Sequence, residues 1–317
     1  MATYIGIHGV KIQSVASDPS NPIEGQVWYN TATNLLKYQA LVGAWASSPA
    51  INNGRSYNVG SGNTATAGLI FGGSQGGAKK YTEAWNGTAW SEVADLLVGT
   101  SQSGGATSGT QTATLSFGMP SGNTEIWDGT SWSEVNNMGS GRYLGQCSGG
   151  TVTAAIGMGG SPYTTNCEIY DGTPWSEVNN QIAARGEKAG CGTTTSALSA
   201  GGRPPGGTGI AELYDGTSWS VTGTMNNGRY YQSAAGDSGT DAIMFGGIPP
   251  PAGLKYTESF DGTSWTSLAE MGGTYQGGGG GVGNATAAFA VGTAGATGPT
   301  TVELWTVGNA AKTVTVS

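Results

Sequence analysis

Histidine occurs once in the 317 residues, at His8. The imidazole base of most hydrolase triads and the paired imidazoles of a copper centre are therefore missing from the rest of the chain. Carboxylates remain, and they recur. Asp128, Asp171, Asp215 and Asp261 each open a word Asp-Gly-Thr-x-Trp, and Asn86 takes the same place in Asn86-Gly87-Thr88-Ala89-Trp90. Two carboxylates suffice for glycosidase chemistry. An amide cannot replace a catalytic carboxylate, however, so the Asn copy assigns these residues to turns, where their side chains accept backbone N–H groups. Glu83, Glu125, Glu168, Glu212, Glu258 and Glu303 form a second series, each two residues before an aromatic and so on its strand face. Arg55, Arg142, Arg185 and Arg229 precede them. A buried carboxylate needs partners, so these glutamates and arginines are expected to pair rather than to hold a ligand. Cys147, Cys167 and Cys191 lack metal-ligand spacing and read as small buried hydrophobes, with no metal and no cofactor implied.

The elements that carry these residues are strands. An aromatic followed by Asp-Gly or Asn-Gly and then Trp is a strong hairpin signal, with the pair expected at the positive φ of a tight turn. The leading aromatics Trp85, Trp127, Tyr170, Tyr214 and Phe260 return at intervals of 42 to 46 residues, and Trp305 follows in phase. Such a period means a stack or ring of equal units. Hydrophobic-Gly-Gly recurs at Phe71-Gly72-Gly73, Met158-Gly159-Gly160, Ala200-Gly201-Gly202 and Phe245-Gly246-Gly247, with degenerate copies at Phe117 and Val291. It ends the second of four strands per unit. Antiparallel connectivity then puts the loops between second and third strands, and those between units, on one face. That face receives Lys79, Lys80, Tyr163, Arg203 and Lys255, the candidate binding residues, while the Asp-Gly turns share the opposite face. Tyr143, Tyr230, Tyr231 and Tyr275 begin first strands at the same end and offer surface for sugar stacking.

Four strands per unit, Gly-Gly closing the second and Trp in the fourth, resemble the kelch repeat, whose units are blades of a β-propeller. The resemblance implies an all-β fold: a six-bladed kelch-like β-propeller over residues 41–317, after an N-terminal β-hairpin module over residues 1–40. The turn between third and fourth strands is shorter here than in that family. In the module, Ser17 to Pro22 reads as a turn-rich linker, and Gln26 to Asn30 with Leu35 to Tyr38 as a hairpin. Gly25-Gln26-Val27-Trp28-Tyr29-Asn30-Thr31, with Asn34, Leu36-Lys37-Tyr38 and Trp45, resembles a short module of bacteriophage tail-fibre proteins. Trp45 is in repeat phase without a partner, and the last unit lacks a fourth-strand Trp. The Trp45 strand is therefore expected to close the ring, with Lys312 to Ser317 as an extra outer strand; the alternative makes that terminal segment the fourth strand.

A net charge of −8 with 58 glycines and 10% charged residues disfavours nucleic acid or an anionic membrane as partner. No apolar stretch opens the chain as an export signal, and none is long enough to span a membrane. These features together imply a non-enzymatic virion component, a tail-fibre or tail-tip protein made in the host cytoplasm. Its expected partners are other virion proteins, a homo-oligomeric copy and acidic host-surface polysaccharide. A cellular kelch-type protein- or glycan-binding module is the second reading, and a glycan-active propeller enzyme the third.

Overall fold

The computed structural model describes residues 12–64, 66–118, 121–203, 206–248, 254–275, 281–292 and 300–314. His8 lies outside the described residues, as do parts of the predicted proline-rich and glycine-rich loops near 120, 250 and 280 and the last residues of the predicted terminal strand. The described residues are all-β, without a helix. Two compact units divide the chain: Met1–Gly43 with Val307–Ser317, and Ala44–Thr306.

In the smaller unit, β1 (Gln13–Val15) pairs parallel with β2 (Val27–Asn30), and β2 pairs antiparallel with β3 (Leu35–Ser48). The hairpin register sets Val27 opposite Tyr38 and Asn30 opposite Leu35, with Asn34 left-handed at φ 55°. This is the hairpin expected from the sequence; the parallel β1 carries no such signal. Asp18 organises the unit. It accepts hydrogen bonds from the buried Trp28 indole (3.0 Å) and from Asn30 (2.7 Å), and pairs with Lys37 (2.7 Å). The Lys37 hydrogen bond, then those from Asn30 and Trp28, lower its pKa to about 2.

In the larger unit, five four-stranded antiparallel sheets follow in chain order. Sheet 1 holds β4 (Val59–Thr64), β5 (Ala67–Phe71), β6 (Thr82–Trp85) and β7 (Trp90–Glu92); sheet 2 holds β8 (Gly104–Gly105), β9 (Thr114–Phe117), β10 (Thr124–Trp127) and β11 (Trp132–Val135). Sheet 3 has β12 (Ser148–Thr151), β13 (Ala154–Gly160), β14 (Thr164–Tyr170) and β15 (Trp175–Val178). Sheet 4 has β16 (Ala189–Thr193), β17 (Ser196–Ala200), β18 (Ala211–Tyr214) and β19 (Trp219–Val221). Sheet 5 has β20 (Ser233–Ser238), β21 (Asp241–Phe245), β22 (Thr257–Phe260) and β23 (Trp265–Ser267). Sheet 6 sets β24 (Gly281–Gly283) and β25 (Ala287–Val291) beside β26 (Val302–Thr313), whose other neighbour is β3, the strand of Trp45. Residues 312 and 313 are therefore the end of β26 and not a separate outer strand. First strands contact in succession, β4 with β8, β8 with β12, β12 with β16, β16 with β20, β20 with β24, and β24 with β4. Glycine permits this approach: a Cβ on Gly281 would lie 1.9 Å from the Ala234 carbonyl oxygen.

The Asp-Gly words form four-residue loops rather than two-residue turns, because Trp127 pairs with Trp132 and Tyr214 with Trp219. Only the glycine takes a positive φ, 94° at Gly129 and 93° at Gly216. The aspartate caps the loop instead: Asp128 Oδ1 accepts the N–H groups of Thr130 and Ser131, each at 2.8 Å. Asp215 and Asp261 repeat this pattern, and Asn86 does the same work as an amide.

Each third-strand glutamate fastens the segment leading into its own sheet. Glu83 accepts the N–H of Asn52 (2.7 Å) and Asn53 (3.2 Å), Glu125 those of Leu97 and Val98, Glu212 those of Ile182 and Ala183, and Glu258 those of Asn226 and Asn227. Glu168 takes Gly139 N–H and the Ser140 hydroxyl, and Glu303 takes Gly272 and Gly273 N–H. Four of these carboxylates pair as expected, Arg55 with Glu83 (2.6 Å), Arg142 with Glu168 (2.5 Å), Arg185 with Glu212 (2.8 Å) and Arg229 with Glu258. Glu125 has no arginine, and burial pushes its pKa up.

Each tryptophan stacks near its hairpin aromatic and reaches into the preceding sheet. Trp132 meets Phe71 at 5.0 Å, Trp175 meets Phe117 at 4.8 Å, Trp90 meets Phe289 at 5.9 Å and Trp45 meets Phe245 at 5.0 Å. Trp45 also lies 5.5 Å from Trp305, as Trp90 lies 5.4 Å from Trp85. The indole N–H finds a threonine hydroxyl on the preceding sheet's third strand in three cases: Trp132 to Thr82, Trp175 to Thr124 and Trp45 to Thr257. Cys167 and Ala211 replace that threonine for Trp219 and Trp265, which donate to the carbonyls of Asn179 and Gly223 instead. For Trp90 the position is Val302, and its buried Nε1 has no partner among the described residues.

Two outcomes follow from these contacts. Val302→Thr is expected to raise unfolding free energy by about 1 kcal/mol, the net value of one new hydrogen bond. Denaturant titration checks this, with Trp90→Phe as background: there the buried hydroxyl has no indole to accept from, so the same change is expected to destabilise. For Asp18 the depressed pKa means that its contribution is complete above the ordinary 3.8 and is lost as pH falls through about 2. The Trp28 indole N–H resonance is expected to hold its native position until that range, and to be displaced already at neutral pH in Asp18→Asn.

Candidate functional site

The segments that lead into the first strands carry non-glycine residues in the left-handed region: Tyr57 (φ 57°), Gln102 (57°), Gln146 (72°), Glu187 (58°) and Tyr231 (55°). Each such residue costs on the order of 1 kcal/mol or more and persists only where its surroundings determine it. Here the glutamate–arginine pairs fix the chain just upstream, since Tyr57, Glu187 and Tyr231 each follow a buried arginine by two residues. Backbone hydrogen bonds then join the same residues from sheet to sheet: Gln102 N–H to Tyr57 O (3.2 Å), Gly145 N–H to Gln102 O (3.0 Å) and Tyr231 N–H to Glu187 O (2.7 Å). Tyr57, Gln102, Gly145, Gln146 and Tyr231 line one shallow depression.

Along one side of it runs a ladder of flat side chains. The Tyr163 ring lies over Gly186, where a Cβ would come within 2.8 Å of the ring, and Gly186 exchanges backbone hydrogen bonds with Arg203 (3.0 and 3.1 Å). The Arg203 guanidinium sits 4.9 Å above the Tyr230 ring, Tyr230 lies 5.4 Å from Tyr231, and Tyr231 lies 5.2 Å from Tyr57. Sheets 3, 4, 5 and 1 each contribute. Tyr163 is 42% exposed, and Tyr57, Tyr230 and Tyr231 are half-buried.

Glu187 neutralises the ladder's cation. Its carboxylate pairs with the Arg203 guanidinium (Nη2 at 2.7 Å), which raises the arginine pKa further. Burial, then the hydrogen bond to Glu187, pushes the Tyr231 hydroxyl up; burial and the same negative charge push up Tyr57. What this surface offers is aromatic faces, the amide group of Gln102, and a bound ion pair rather than an open positive field. Flat, partly apolar rings with hydroxyl edges match it.

Of the residues singled out from the sequence, Tyr163 and Arg203 come together on this ladder. Lys79 stands over the Tyr81 ring (5.9 Å) on sheet 1, with Lys80 exposed beside it, and Lys255 donates to the Gly272 carbonyl (2.8 Å). Tyr275 is buried in the core, while Tyr143 is 40% exposed. Glu187, Gln102, Gln146 and Tyr57 escaped sequence reasoning; the signal available for Glu187 was an acidic residue standing where other repeats carry Tyr57 or Tyr231. Among the described residues no three His, Cys, Asp or Glu side chains gather as a metal site. The three cysteines are buried and free, as expected. Neither a scan against protein-family models nor a search of curated proteins finds a match to this chain.

Neutralising Glu187 isolates its influence. In Glu187→Gln the Tyr231 pKa is expected to fall toward its ordinary value while staying above it, because burial remains. A pH titration of the ring carbon bearing the hydroxyl, in 13C-tyrosine-labelled protein, reads the shift; an unmoved pKa would show that burial alone sets it.

Proposed function

We propose that this chain is a six-bladed kelch-like β-propeller, closed by the Trp45 strand, that serves as a non-enzymatic glycan-binding component of a phage virion. Support for the ring comes from the succession of first-strand contacts, β24 with β4 included, and from six tryptophans that each pack on the preceding sheet. The virion setting rests on the tail-fibre-like segment Gly25 to Tyr38. Its natural partners in that setting are neighbouring virion proteins and the host surface.

The observation that carries the binding role is the ladder Tyr163–Arg203–Tyr230–Tyr231–Tyr57. Aromatic faces at this spacing take the apolar faces of sugar rings, and the adjoining Gln102 amide takes hydroxyl groups. Because Glu187 holds Arg203 and Gly272 holds Lys255, stacking outweighs charge, and recognition of an uncharged stretch of saccharide is favoured over the acidic polymer suggested by loop composition.

The test is binding to a panel of isolated bacterial surface glycans at low and moderate salt. Tyr163→Ala and Tyr230→Ala are each expected to weaken binding about tenfold, equivalent to about 1.4 kcal/mol, with little change on adding salt. Changing Lys79, Lys80 and Lys255 together to Ser is expected to leave it nearly intact. Loss of binding in the lysine variant with the tyrosine variants unaffected would overturn the stacking mechanism. Absence of binding across the panel, with the protein instead retained on tail proteins, would replace adhesion by assembly.

A further inference from the structure

Sheet 6 departs from its siblings around one cleft. The N–H groups of Gly272 and Gly273 bind Glu303, each at 2.7 Å, as those of Asn226 and Asn227 bind Glu258. Tyr275 therefore stands at the place of Arg229, and Thr274 at that of Gly228. Counting back from Glu303 sets Thr301 at the place of Tyr256. Counting on from Trp45, as from Trp265, sets Ser48 at that of Leu268 and Ala50 at that of Glu270. Tyr256, Leu268 and Glu270 crowd a space of about 160 Å³ beside Glu258, and with their small replacements the counterpart in sheet 6 measures about 420 Å³.

The exchange also turns an apolar position polar. Val93, Val135 and Val178 hold the Ser48 place in sheets 1, 2 and 3, and each packs against a core cluster. In sheet 6 the hydroxyls of Ser47, Ser48, Thr274 and Thr301 line the cleft, with Ala50 among them. Its buried end is already satisfied. The Tyr275 hydroxyl donates to Glu303 and accepts from Thr301, and burial, then the carboxylate charge, raises its pKa so that it stays a donor. With its one proton committed to Tyr275, Thr301 offers the cleft an acceptor only. Charge selects against ions of either sign: the Glu303 carboxylate, 7% exposed, opposes an anion, and the Lys255 ammonium, held on Gly272 O at 2.8 Å, opposes a cation.

We propose that this cleft seats one neutral sugar ring, a hydroxyl of which donates to Thr301 Oγ1. Its volume is that of a small-ligand pocket, and a pyranose joins the apolar ring face and the hydroxyl edges that Ala50 and the surrounding serines and threonines match. On the glycan-binding reading above, on which this assignment rests, the cleft is a second subsite beside the aromatic ladder, selective through hydroxyl groups where the ladder selects through faces. A site built to take a hydroxyl discriminates against an analogue without it, because its own polar group is then left unpaired.

Titration of methyl-labelled protein, followed at the Ala50 and Thr301 methyl resonances, tests this with the methyl glycosides of glucose, galactose and N-acetylglucosamine. At least one of them is expected to shift both methyls saturably, and to bind several-fold more tightly than its fully O-methylated form, glucuronate or glucosamine. Ser48→Leu combined with Thr301→Tyr restores the side chains of sheet 5; it is expected to fill the cleft, melt no lower than wild type and no longer respond. Should that variant misfold, Thr301→Val keeps the shape without the acceptor and is expected to weaken binding several-fold, read at Ala50. Tyr163→Ala, on the ladder, is expected to leave the glycoside response unchanged while weakening the intact glycan. No shift with any of the three glycosides, an equal response to the O-methylated form, or an unchanged response in these cleft variants would overturn the subsite, and glycan binding that survives such a result would leave the ladder standing alone.

Discussion

A carboxylate buried at the same point of each third strand is the constraint on which the larger unit depends. Taking an ionised group out of water costs several kcal/mol unless hydrogen bonds and an opposite charge replace the lost hydration. The chain meets that demand with the backbone of the segment leading into the same sheet, so the glutamate can be buried only if that segment is in place. Where Arg55, Arg142, Arg185 and Arg229 are added, each ion is stable only with the other, and removing one partner of such a pair costs about 3 to 5 kcal/mol. Burial lowers the pKa of Arg55 and Arg229, the mark of cations held by partners and not by solvent. After Arg55, Arg185 and Arg229 the residue two positions later, Tyr57, Glu187 or Tyr231, takes the left-handed region and the first strand follows.

Tryptophan does for neighbouring sheets what glutamate does within one. Its ring reaches the preceding sheet, and its N–H must then find an acceptor there, because an indole buried without one forfeits the hydration of its only polar atom. Thr82, Thr124 and Thr257 provide it from equivalent positions, and when the position mutates to Cys167 or Ala211 the indole turns to a loop carbonyl. Trp45, over 200 residues from Thr257 in sequence, obeys the same rule as its neighbours. Such a coincidence is what a strand from one end of the chain completing a sheet at the other end would produce.

Much of this was legible from residue type and spacing. The aromatic-Asp-Gly-Trp word located the hairpins, since glycine alone tolerates φ near 94° and an Asp or Asn side chain alone caps the loop before it. The paired Glu and Arg series followed from connectivity, because antiparallel strands return to the same end. The ladder was less legible. Tyr163 and Arg203 were visible as loop residues, but the ladder they belong to continues through Tyr231 to Tyr57, over 140 positions away, and periodicity specifies what repeats rather than which sheets meet. Glu187 was missed for a related reason: acidic residues on this face had already been assigned to the repeating glutamates. The partner of Lys255 is a backbone carbonyl, which leaves no trace in sequence.

Repetition also decides where function can lie. A residue present in all six sheets, such as the clamping glutamate, presents six equal sites and is occupied by the scaffold in each. A single site needs asymmetry, and the chain supplies it by departing from its own pattern on the side chains that scaffold contacts leave unconstrained. Glu187 replaces a tyrosine and binds Arg203, which makes a series of left-handed residues a one-sided surface of aromatic faces. Tyr275 stands where four sheets carry an arginine, and gives Glu303 a hydroxyl donor in place of the cation. The clamp tolerates both changes because backbone N–H groups still satisfy the carboxylates, so stability survives at the positions where specificity is introduced.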